Sequence, residues 1–416
     1  MPSRTSLAHP SSALLSLALA AGCGGSGSSS TPAADTGVDD SIAAADADVG
    51  ADAGVGCPRT PSAADRARKV VISHPFAATA GTKATTYEVL DLAVDGTLSR
   101  PATPVTFSMG TGLDGSIVFT PDGKLGLAAQ DDGSIGAFTL DAAGAPTVVH
   151  AAFRDGFYAQ RVVVSQDGAR AWVLDGDTGN NGGGVYELSI ACDGTLASRG
   201  LVVPGGGANA MALLPTDPTK GVLAATAAFD SATGLDLHVV DLFARTRVSS
   251  VAAFPDTDAI VSDLVVTPDG KYALVADDGM LAGSRIAVVQ LGATPTSVGL
   301  LTTPYPAAMV MSPWGNSALV LNDDSTDQIH VLAPSASGSG APWTITGELA
   351  YQFGKPQIPV SASMIARGSL EGRVFVAENL AVRTIVFTQA GAPVDTAKLS
   401  FPGGNESIVG IVGVQP

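Results

Sequence analysis

The 416-residue chain has few basic residues, cysteines, histidines and tryptophans, and these shortages exclude or disfavour several classes of function. It carries 22 Lys and Arg against 39 Asp and Glu, which gives a formal net charge of −17 at pH 7. Because such an acidic chain repels phosphate backbones, nucleic-acid binding is disfavoured. The three tryptophans follow no regular repeat, so the sequence does not support an electron-transfer or quinone-dependent protein.

Long apolar runs and familiar catalytic motifs are also missing. After residue 57 no run of 18 apolar residues occurs, so we expect no membrane-spanning helix there. The sequence has no His-Glu-x-x-His, Gly-x-Ser-x-Gly or Walker-type motif, and we expect no catalytic residues and no cofactor from these classes. The histidines are expected to have structural roles; they are His9, His74, His150, His238 and His330.

Residues 1–22 are predicted to be a signal peptide. Arg4 precedes a short apolar run that ends in Ala-Ala-Gly directly before Cys23. This arrangement resembles the bacterial lipobox, although Leu19 lies one place further from the cysteine than is usual. The resemblance implies that Cys23 becomes a lipidated N-terminus. An ordinary secreted protein that is cleaved nearby is the alternative.

Residues 23–56 are predicted to form a disordered, lipid-anchored tether rich in Gly, Ser, Ala and Asp. The segment after Cys23 has no aromatic and no basic residue and contains six Asp. Little apolar surface is available there to offset the entropy of ordering, and the like charges extend the chain. A disordered tail without a lipid is the alternative. When the six Asp of this segment and Arg4 of the signal peptide are not counted, the net charge is still about −12, so the rest of the chain is acidic as well.

Four similar phrases recur along the rest of the chain at intervals of about 45 to 55 residues, which is typical of propellers and other repeat arrays. Looser copies begin at Met211 and Met364. The four phrases are IVFTPDGKLGLAAQDDG from Ile117, VVVSQDGARAWVLDGD from Val162, LVVTPDGKYALVADDG from Leu264 and MVMSPWGNSALVLNDDS from Met309.

Each unit has the pattern of a four-stranded propeller blade. An apolar run ends in Ser or Thr, Pro-Asp-Gly or a variant makes a tight turn, and three further strands follow. The first unit lacks a first strand, whereas the C-terminal NESIVGIVGVQP has nothing after its strand. Pairing of the two ends would complete the first blade and remove exposed sheet edges. Residues 57–416 are therefore predicted to be an all-β, seven-bladed β-propeller of four-stranded antiparallel blades, closed by the C-terminal strand.

These units resemble the seven-bladed repeats of the YVTN type and the lactonase-like propellers that include bacterial 6-phosphogluconolactonase. The resemblance covers residues 68–416 and rests on the PDGK turns, the VADD and LNDD strand ends, the DGTL turns and the closing SIVGIVGV. It implies the fold, whereas propellers of this kind serve many functions.

The resemblance also implies where a lactonase would carry catalytic groups. In those enzymes an Arg-His pair precedes the first strand of a blade, where the central channel opens. The matching pairs here are Gln160-Arg161, Asn209-Ala210, Ser262-Asp263 and Ala307-Ala308, and none is Arg-His. Arg161 alone suits a carboxylate or phosphate, but Asp263 in the equivalent place argues against an anionic pocket. A non-enzymatic binding or scaffolding module is therefore favoured, and a lactonase-like hydrolase of a sugar lactone with a replaced catalytic set is the alternative.

The mouth of the channel is the expected ligand site, for a protein, a glycan or a small molecule. The alternative is that the residues around it only solvate the loops. The candidate residues are Tyr158, Gln160, Arg161, Asn209, Asp258, Asp263, Tyr305, Gln357 and Glu406.

Acidic residues follow five of the second strands, and two interpretations are open. They form a solvated rim in which the first Asp caps a turn, or they bind Ca²⁺, since oxygen-rich loops suit that ion. The best candidate for Ca²⁺ is DGDTGNNGGG, with Asp175, Asp177 and Asn180. The acidic residues are Asp131-Asp132, Asp175 with Asp177, Asp277-Asp278, Asp323-Asp324 and Glu378.

The cysteines and the lipobox predict the location of the protein. Outside the cytoplasm a cysteine pair forms a disulfide more often than two thiols, so we expect Cys57 to bond Cys192. The lipobox implies an extracytoplasmic protein anchored to a bacterial membrane. Gly24 after Cys23 favours the outer membrane, on its periplasmic or cell-surface side.

Overall fold

The computed structural model describes residues 56–113, 115–150, 159–176, 183–205, 207–226, 234–256, 259–279, 284–323, 328–336 and 340–416. The predicted signal peptide, Cys23, nearly all of the tether, Tyr158, Asp177, Asn180 and Asp258 lie outside these residues. Within the described ranges, no helix is long and apolar enough to cross a membrane.

The described chain is built almost entirely of short antiparallel strands, with one short 3-10 helix at Asn405–Ser407. In chain order the strands are β1 (Arg68–Phe76), β2 (Lys83–Leu92), β3 (Leu98–Ser99), β4 (Val105–Ser108), β5 (Val118–Phe119), β6 (Leu125–Ala129), β7 (Ile135–Leu140), β8 (Pro146–His150), β9 (Ala159–Val164), β10 (Arg170–Asp175), β11 (Gly184–Ile190), β12 (Leu196–Pro204), β13 (Ala208–Leu214), β14 (Asp217–Ala225), β15 (Leu237–Asp241), β16 (Thr246–Val251), β17 (Val261–Val266), β18 (Tyr272–Asp277), β19 (Arg285–Gln290), β20 (Thr296–Thr302), β21 (Pro306–Met311), β22 (Ala318–Asn322), β23 (Gln328–Pro334), β24 (Trp343–Glu348), β25 (Ser361–Met364), β26 (Arg373–Glu378), β27 (Ala381–Val386), β28 (Val394–Ser400) and β29 (Val412–Val414).

These strands form seven sheets, and each sheet is one blade of a propeller. Blades 2 to 7 each contain four consecutive strands, from β5–β8 to β25–β28. Blade 1 contains β29, β1 and β2, and its outer position is divided between β3 and β4, which both pair with β2. The predicted seven-bladed, all-β fold is confirmed.

The two chain ends close the ring, as the sequence predicts. The C-terminal strand β29 pairs antiparallel with β1, with Val414 opposite Val70 and Val412 opposite Ile72. Blade 1 therefore has its innermost strand from one end of the chain and the other strands from the opposite end. Closure therefore pairs the inner edge of β1.

The repeated Thr-Pro-Asp-Gly phrase is a turn that its own side chains stabilise. In blade 5 the Thr267 hydroxyl donates to Asp269 Oδ1 at 2.7 Å, and the same oxygen accepts the N–H of Lys271 at 3.0 Å. Gly270 follows with φ of 69°, a region that favours glycine. The same hydrogen bonds join Thr120 to Asp122 and Ser165 to Asp167. The phrase recurs because blades 2, 3 and 5 use this turn between their first and second strands.

The hydrophobic core lies between the blades. Seven buried clusters are present, one at each interface between neighbouring blades. Successive residues of a strand point to opposite faces, so Leu127 packs toward blade 3 and Ala128 toward blade 1, both with 0% exposure. Because both faces are buried, the second strands are continuous apolar runs in the sequence.

The two faces of the ring differ in which loops they carry. The mouth face holds the loops that enter first strands and those that join second to third strands. The base face holds the turns between first and second strands and between third and fourth strands.

Residues 56–67, here called the lead-in, cross the base face before β1 begins. The N–H groups of Cys57, Arg59 and Ser62 donate to carbonyl groups of Ile190, Asp167 and Pro121, in blades 3 and 2. A disulfide joins Cys57 to Cys192, the pair expected from the sequence. At the other end of the lead-in, the Asp65 carboxylate accepts the N–H of Ser369 in blade 7 at 2.7 Å.

Candidate functional site

The mouth face brings together three of the predicted site residues: Arg161, Asn209 and Asp263. Arg161 on β9 pairs with Leu174, and Asp263 on β17 pairs with Ala276, so the two occupy equivalent positions in blades 3 and 5. Arg161 extends past blade 4, and its Nη1 lies 3.1 Å from Asp263 Oδ1. Arg161 and Asp263, whose opposite charges argued against a pocket for anions, therefore form an ion pair with each other.

Further hydrogen bonds link the first strands around this ion pair. Arg161 Nη2 donates to the carbonyl of Ser262 at 2.9 Å, and Asn209 Nδ2 donates to the carbonyl of Val261 at 2.9 Å. On the other side of the ring, Ser361 Oγ donates to the carbonyl of Gly115 at 2.8 Å. These hydrogen bonds therefore join the first-strand regions of different blades around the channel mouth.

Asp263 is almost fully enclosed, with 5% exposure. Its carboxylate accepts the N–H of Leu264 at 2.7 Å and that of Met309 at 2.6 Å. Burial raises the pKa of Asp263 above its ordinary value, and the Arg161 charge and these N–H groups oppose that rise. An anionic ligand at Arg161 would have to compete with this carboxylate.

Of the other predicted mouth residues, Gln160 is half-buried next to Arg161 on β9, whereas the rest lie in other loops. Tyr305 is 48% exposed, and its carbonyl accepts the N–H of Asp323. Gln357 is exposed, and its carbonyl accepts the N–H of Asn379. Glu406 is exposed, and the N–H groups of the local backbone lower the pKa of its carboxyl.

Two mouth loops contain unusual backbone. Tyr305 and Ile358 have φ of 28° and 50°, in the loops that enter β21 and β25 of neighbouring blades. Positive φ is uncommon for a non-glycine residue and is an outlier for a β-branched one. The sequence gives no sign of this strain, because neither position carries Gly or Asn.

The predicted solvated acidic rim is wrong for most second-strand ends. At three of the five predicted positions the acid is at most 1% exposed: Asp175, Asp277 and Glu378. Asp277 Oδ1 does cap a local turn by accepting the N–H of Gly279, but its Oδ2 also binds Arg285 Nε at 3.0 Å. Asp277 and Glu378 each compensate an arginine on the third strand of their own blade, Arg285 and Arg383.

Blades 2 and 6 are the exceptions to this burial. There Gln130 and Asn322 take the enclosed positions, and the acids that follow them are more exposed: Asp131, Asp132 and Asp323. Gln130 Oε1 accepts the hydroxyl of Tyr87 at 3.0 Å, which connects blades 1 and 2.

Arg383 in blade 7 shows how such a buried cation is compensated. Its guanidinium has 0% exposure and contacts the carboxylates of Glu378 and Asp395. Asp395 also accepts the N–H of Gln352 at 2.9 Å. This network fixes the loop that enters β25.

The candidate Ca²⁺ loop has one residue in the described part, Asp175, which is buried at the end of β10. Among the described residues, no group of three His, Cys, Asp or Glu side chains could hold a metal ion.

The third-strand histidines contact hydroxyl groups in separate blades. His238 Nδ1 lies 2.7 Å from Ser250 Oγ in blade 4, and His330 Nδ1 lies 3.1 Å from Thr303 Oγ1 in blade 6. His238 is fully buried. His74 lies against Glu88 in blade 1 at 3.2 Å. These histidines do not converge on one site.

The base face carries a group of arginines that the sequence does not predict. Arg66, Arg68 and Arg367 lie together around Ser62. The positions of these arginines in the sequence do not predict that they come together. The lead-in is not part of the repeat, and its path over the base face depends on the closed ring.

The chain matches no protein-family model and no curated protein. Solved structures share its fold at low identity. A Lactobacillus plantarum protein is 15% identical with a TM-score of 0.60, covering 84% of this chain and 99% of its own. The periplasmic gluconolactonase of Pseudomonas aeruginosa is 14% identical with a TM-score of 0.58, covering 84% and 99%. A Bacteroides fragilis protein, provisionally described as a 6-phosphogluconolactonase, is 12% identical with a TM-score of 0.58, covering 85% and 99%. The chain therefore shares its propeller fold with these three proteins.

Proposed function

We propose that this chain is a lipid-anchored extracytoplasmic protein that binds or scaffolds a protein, glycan or small molecule through its mouth face. In this proposal Cys23 carries the lipid and residues 24–56 form the tether. The outer membrane is the favoured location, on the grounds of Gly24.

The observation that carries the binding proposal is the strained backbone of the mouth loops of blades 6 and 7. Strain of this kind persists only where surrounding structure imposes it, and it concentrates at ligand-binding and active sites. Tyr305 combines this strain with 48% exposure. Tyrosine is also among the residues that contribute most at binding interfaces.

The electrostatics of the mouth favour a ligand that is held by hydrogen bonds and aromatic contact. Arg161 is already compensated by Asp263 and by the Ser262 carbonyl. A ligand that needed a free cation here would first have to break a partly buried ion pair, which is costly.

The test is a thermal-shift screen of the full-length chain against glycan fragments, peptides, sugar lactones and sugar phosphates. A ligand that binds the native state raises Tm by mass action. We expect a hit whose shift is lost in Tyr305→Ala, because truncating an interface hot spot typically costs about 2 kcal/mol or more. Tyr272→Ala, at a half-buried tyrosine of the base face, is the matched control and should keep the shift.

A lactonase-like hydrolase is the second candidate function, because the fold is shared with a gluconolactonase and Ser250 lies at nucleophile–base distance from His238. The same screen separates the two functions. Hydrolysis of a sugar lactone above its spontaneous rate, lost in Ser250→Ala or Arg161→Gln, would replace the binding proposal with the enzymatic one.

A further inference from the structure

One enclosed carboxylate of blade 4 has backbone donors but no cation for a partner. Asp236 directly precedes β15 and is 2% exposed. Among the described residues, no Lys, Arg or His side chain lies within ion-pair distance of it. Its Oδ1 accepts the N–H of Ala253, and its Oδ2 accepts the N–H of Phe254 at 3.2 Å. The charged form of Asp236 is therefore stabilised by these two N–H groups alone.

The two donors belong to residues 252–256, here called the blade 5 entry loop, because the chain continues from them into β17. The Ser297 hydroxyl donates to the carbonyl of Ala253 at 2.8 Å. Phe254 is 2% exposed, and the guanidinium carbon of Arg285 lies 4.9 Å from the centre of its ring. The entry loop is thus held between Asp236 of blade 4 and the side chains of blade 5.

The charged groups around Asp236 are already paired with one another. Asp256, in the same loop, forms two hydrogen bonds with Arg285, from Nη1 and Nη2, each at 2.6 Å. Arg285 Nε also binds Asp277 at 3.0 Å. On β15 itself the next titratable residue is His238, which is fully buried and contacts a hydroxyl group of blade 4. The Arg285 cation is therefore shared by two other carboxylates.

These surroundings make closure of the entry loop depend on pH. Burial raises the pKa of Asp236 from 3.8 to about 6, and the negative charge of Asp256 acts in the same direction. If the loop opens, water reaches the carboxylate, which then loses its proton at its ordinary pH. Between those two pH values the closed loop keeps a proton that the open loop has lost, so rising pH favours opening.

The entry loop leads into the strand that supports the mouth. On β17 the Ser262 hydroxyl donates to the carbonyl of Pro306, which follows the strained Tyr305. The next residue, Asp263, forms the ion pair with Arg161. Loosening of the entry loop would therefore reach both the ion pair and the loop that presents Tyr305.

We propose that Asp236 makes the blade 5 entry loop a pH-dependent clasp of the mouth, which is held closed more firmly in acid than at neutral pH. An effect of this clasp on ligand binding rests on the proposed function of the mouth. Opening of the loop itself does not, because it follows from the contacts of Asp236 within the chain.

The experiment is hydrogen exchange of the full-length chain, measured by mass spectrometry from pH 4 to pH 7 and corrected for the intrinsic pH dependence of exchange. The amides of Ala253 and Phe254 report on opening, because Asp236 is their acceptor. Their protection should fall as the pH rises, by up to about a hundredfold. This limit is the ratio of the two ionisation constants of Asp236, in the open and in the closed loop.

The loop that enters β25 is the matched control within the same chain. There Asp395 accepts the N–H groups of Gln352 and Phe353 at 2.9 and 3.2 Å, but Arg383 contacts this carboxylate. Because a cation compensates Asp395, the protection of these two amides should change little over the same pH range. A parallel loss in both loops would mean that the whole fold loosens, and it would overturn the proposal of a local clasp.

A variant assigns the effect to its group. Asp236→Asn has no titrating proton and can still accept one N–H, so protection of the entry loop should no longer depend on pH. The same pH dependence in the variant and in the native chain would overturn the proposal. If the variant fails to fold, the comparison of the two loops in the native chain decides. The measurement involves no ligand, so a failure of the proposed mouth function would leave its outcome unchanged.

Discussion

Several carboxylates of this acidic protein are almost fully enclosed by other groups. Asp236, Asp263 and Asp277 are each at most 5% exposed. A buried carboxylate is unfavourable in its charged form unless a cation or N–H donors compensate it. Arg285 compensates Asp277, whereas the carboxylate of Asp236 accepts backbone N–H groups of Ala253 and Phe254.

Asp236 predicts a pH dependence of stability. Burial raises its pKa from 3.8 to about 6 in the folded chain. Between those pH values the folded chain keeps a proton that the unfolded chain has lost, so the free energy of unfolding falls as pH rises. The Asp236→Asn variant has no titrating proton at this position. The difference between its Tm and that of the native chain should therefore become more positive from about pH 4 to about pH 7.

A variant of opposite sign controls this measurement. Lys220 and Thr219 lower the pKa of Asp217 to about 2, so its charged form favours the folded state above that pH. Asp217→Asn should therefore lose stability relative to the native chain as the pH rises from about 2 to about 4, with no further change above about 4. Parallel pH profiles for the two variants would contradict this assignment.

At the scale of elements, the blade depends on the turn between its first and second strands. The hydroxyl, carboxylate and glycine of this turn lie within four residues of one another, so the sequence alone predicts the turn. The turn also sets the register of the two strands that it joins. A slip of one residue would move every side chain to the opposite face of the sheet.

The glycine of this turn gives a test with a matched control. Gly270 has φ of 69°, and a Cβ there would lie 2.8 Å from Thr216 Oγ1. Gly270→Ala should lower the free energy of unfolding by about 1–2 kcal/mol, the cost of the left-handed region for an L-residue. Gly292→Ala meets nothing within 4 Å and has no positive φ, so urea denaturation should find it neutral. Equal effects would exclude backbone strain as the cause.

In the whole molecule, two separate sets of contacts hold the ring of blades closed. Strand β29 pairs with β1 to complete blade 1, and the lead-in then crosses the base face to blade 3. The disulfide between Cys57 and Cys192 fixes the end of this path and closes a loop with a sequence separation of 135.

Removal of this disulfide should lower the stability of the whole ring. For a loop of this length, the chain-entropy estimate is up to about 5 kcal/mol. We expect reductant to lower the Tm of the native chain and to leave a Cys57→Ser/Cys192→Ser double variant unchanged. Scanning calorimetry with and without reductant measures both. An unchanged Tm for the native chain would mean that the hydrogen bonds of the lead-in hold it without the disulfide.

The sequence by itself determined the number of blades, their antiparallel strands, the turn chemistry and the closure by the C-terminal strand. These features depend on turn residues, apolar runs and a repeat length that lie close together along the chain. The Arg161–Asp263 ion pair, the burial of the second-strand acids and the path of the lead-in were decided only by the tertiary structure. The ion pair and the lead-in contacts join residues of different blades, which only the closed ring brings together. The buried acids Asp277 and Glu378 pair with arginines of their own blades, and packing of neighbouring blades on both faces encloses them.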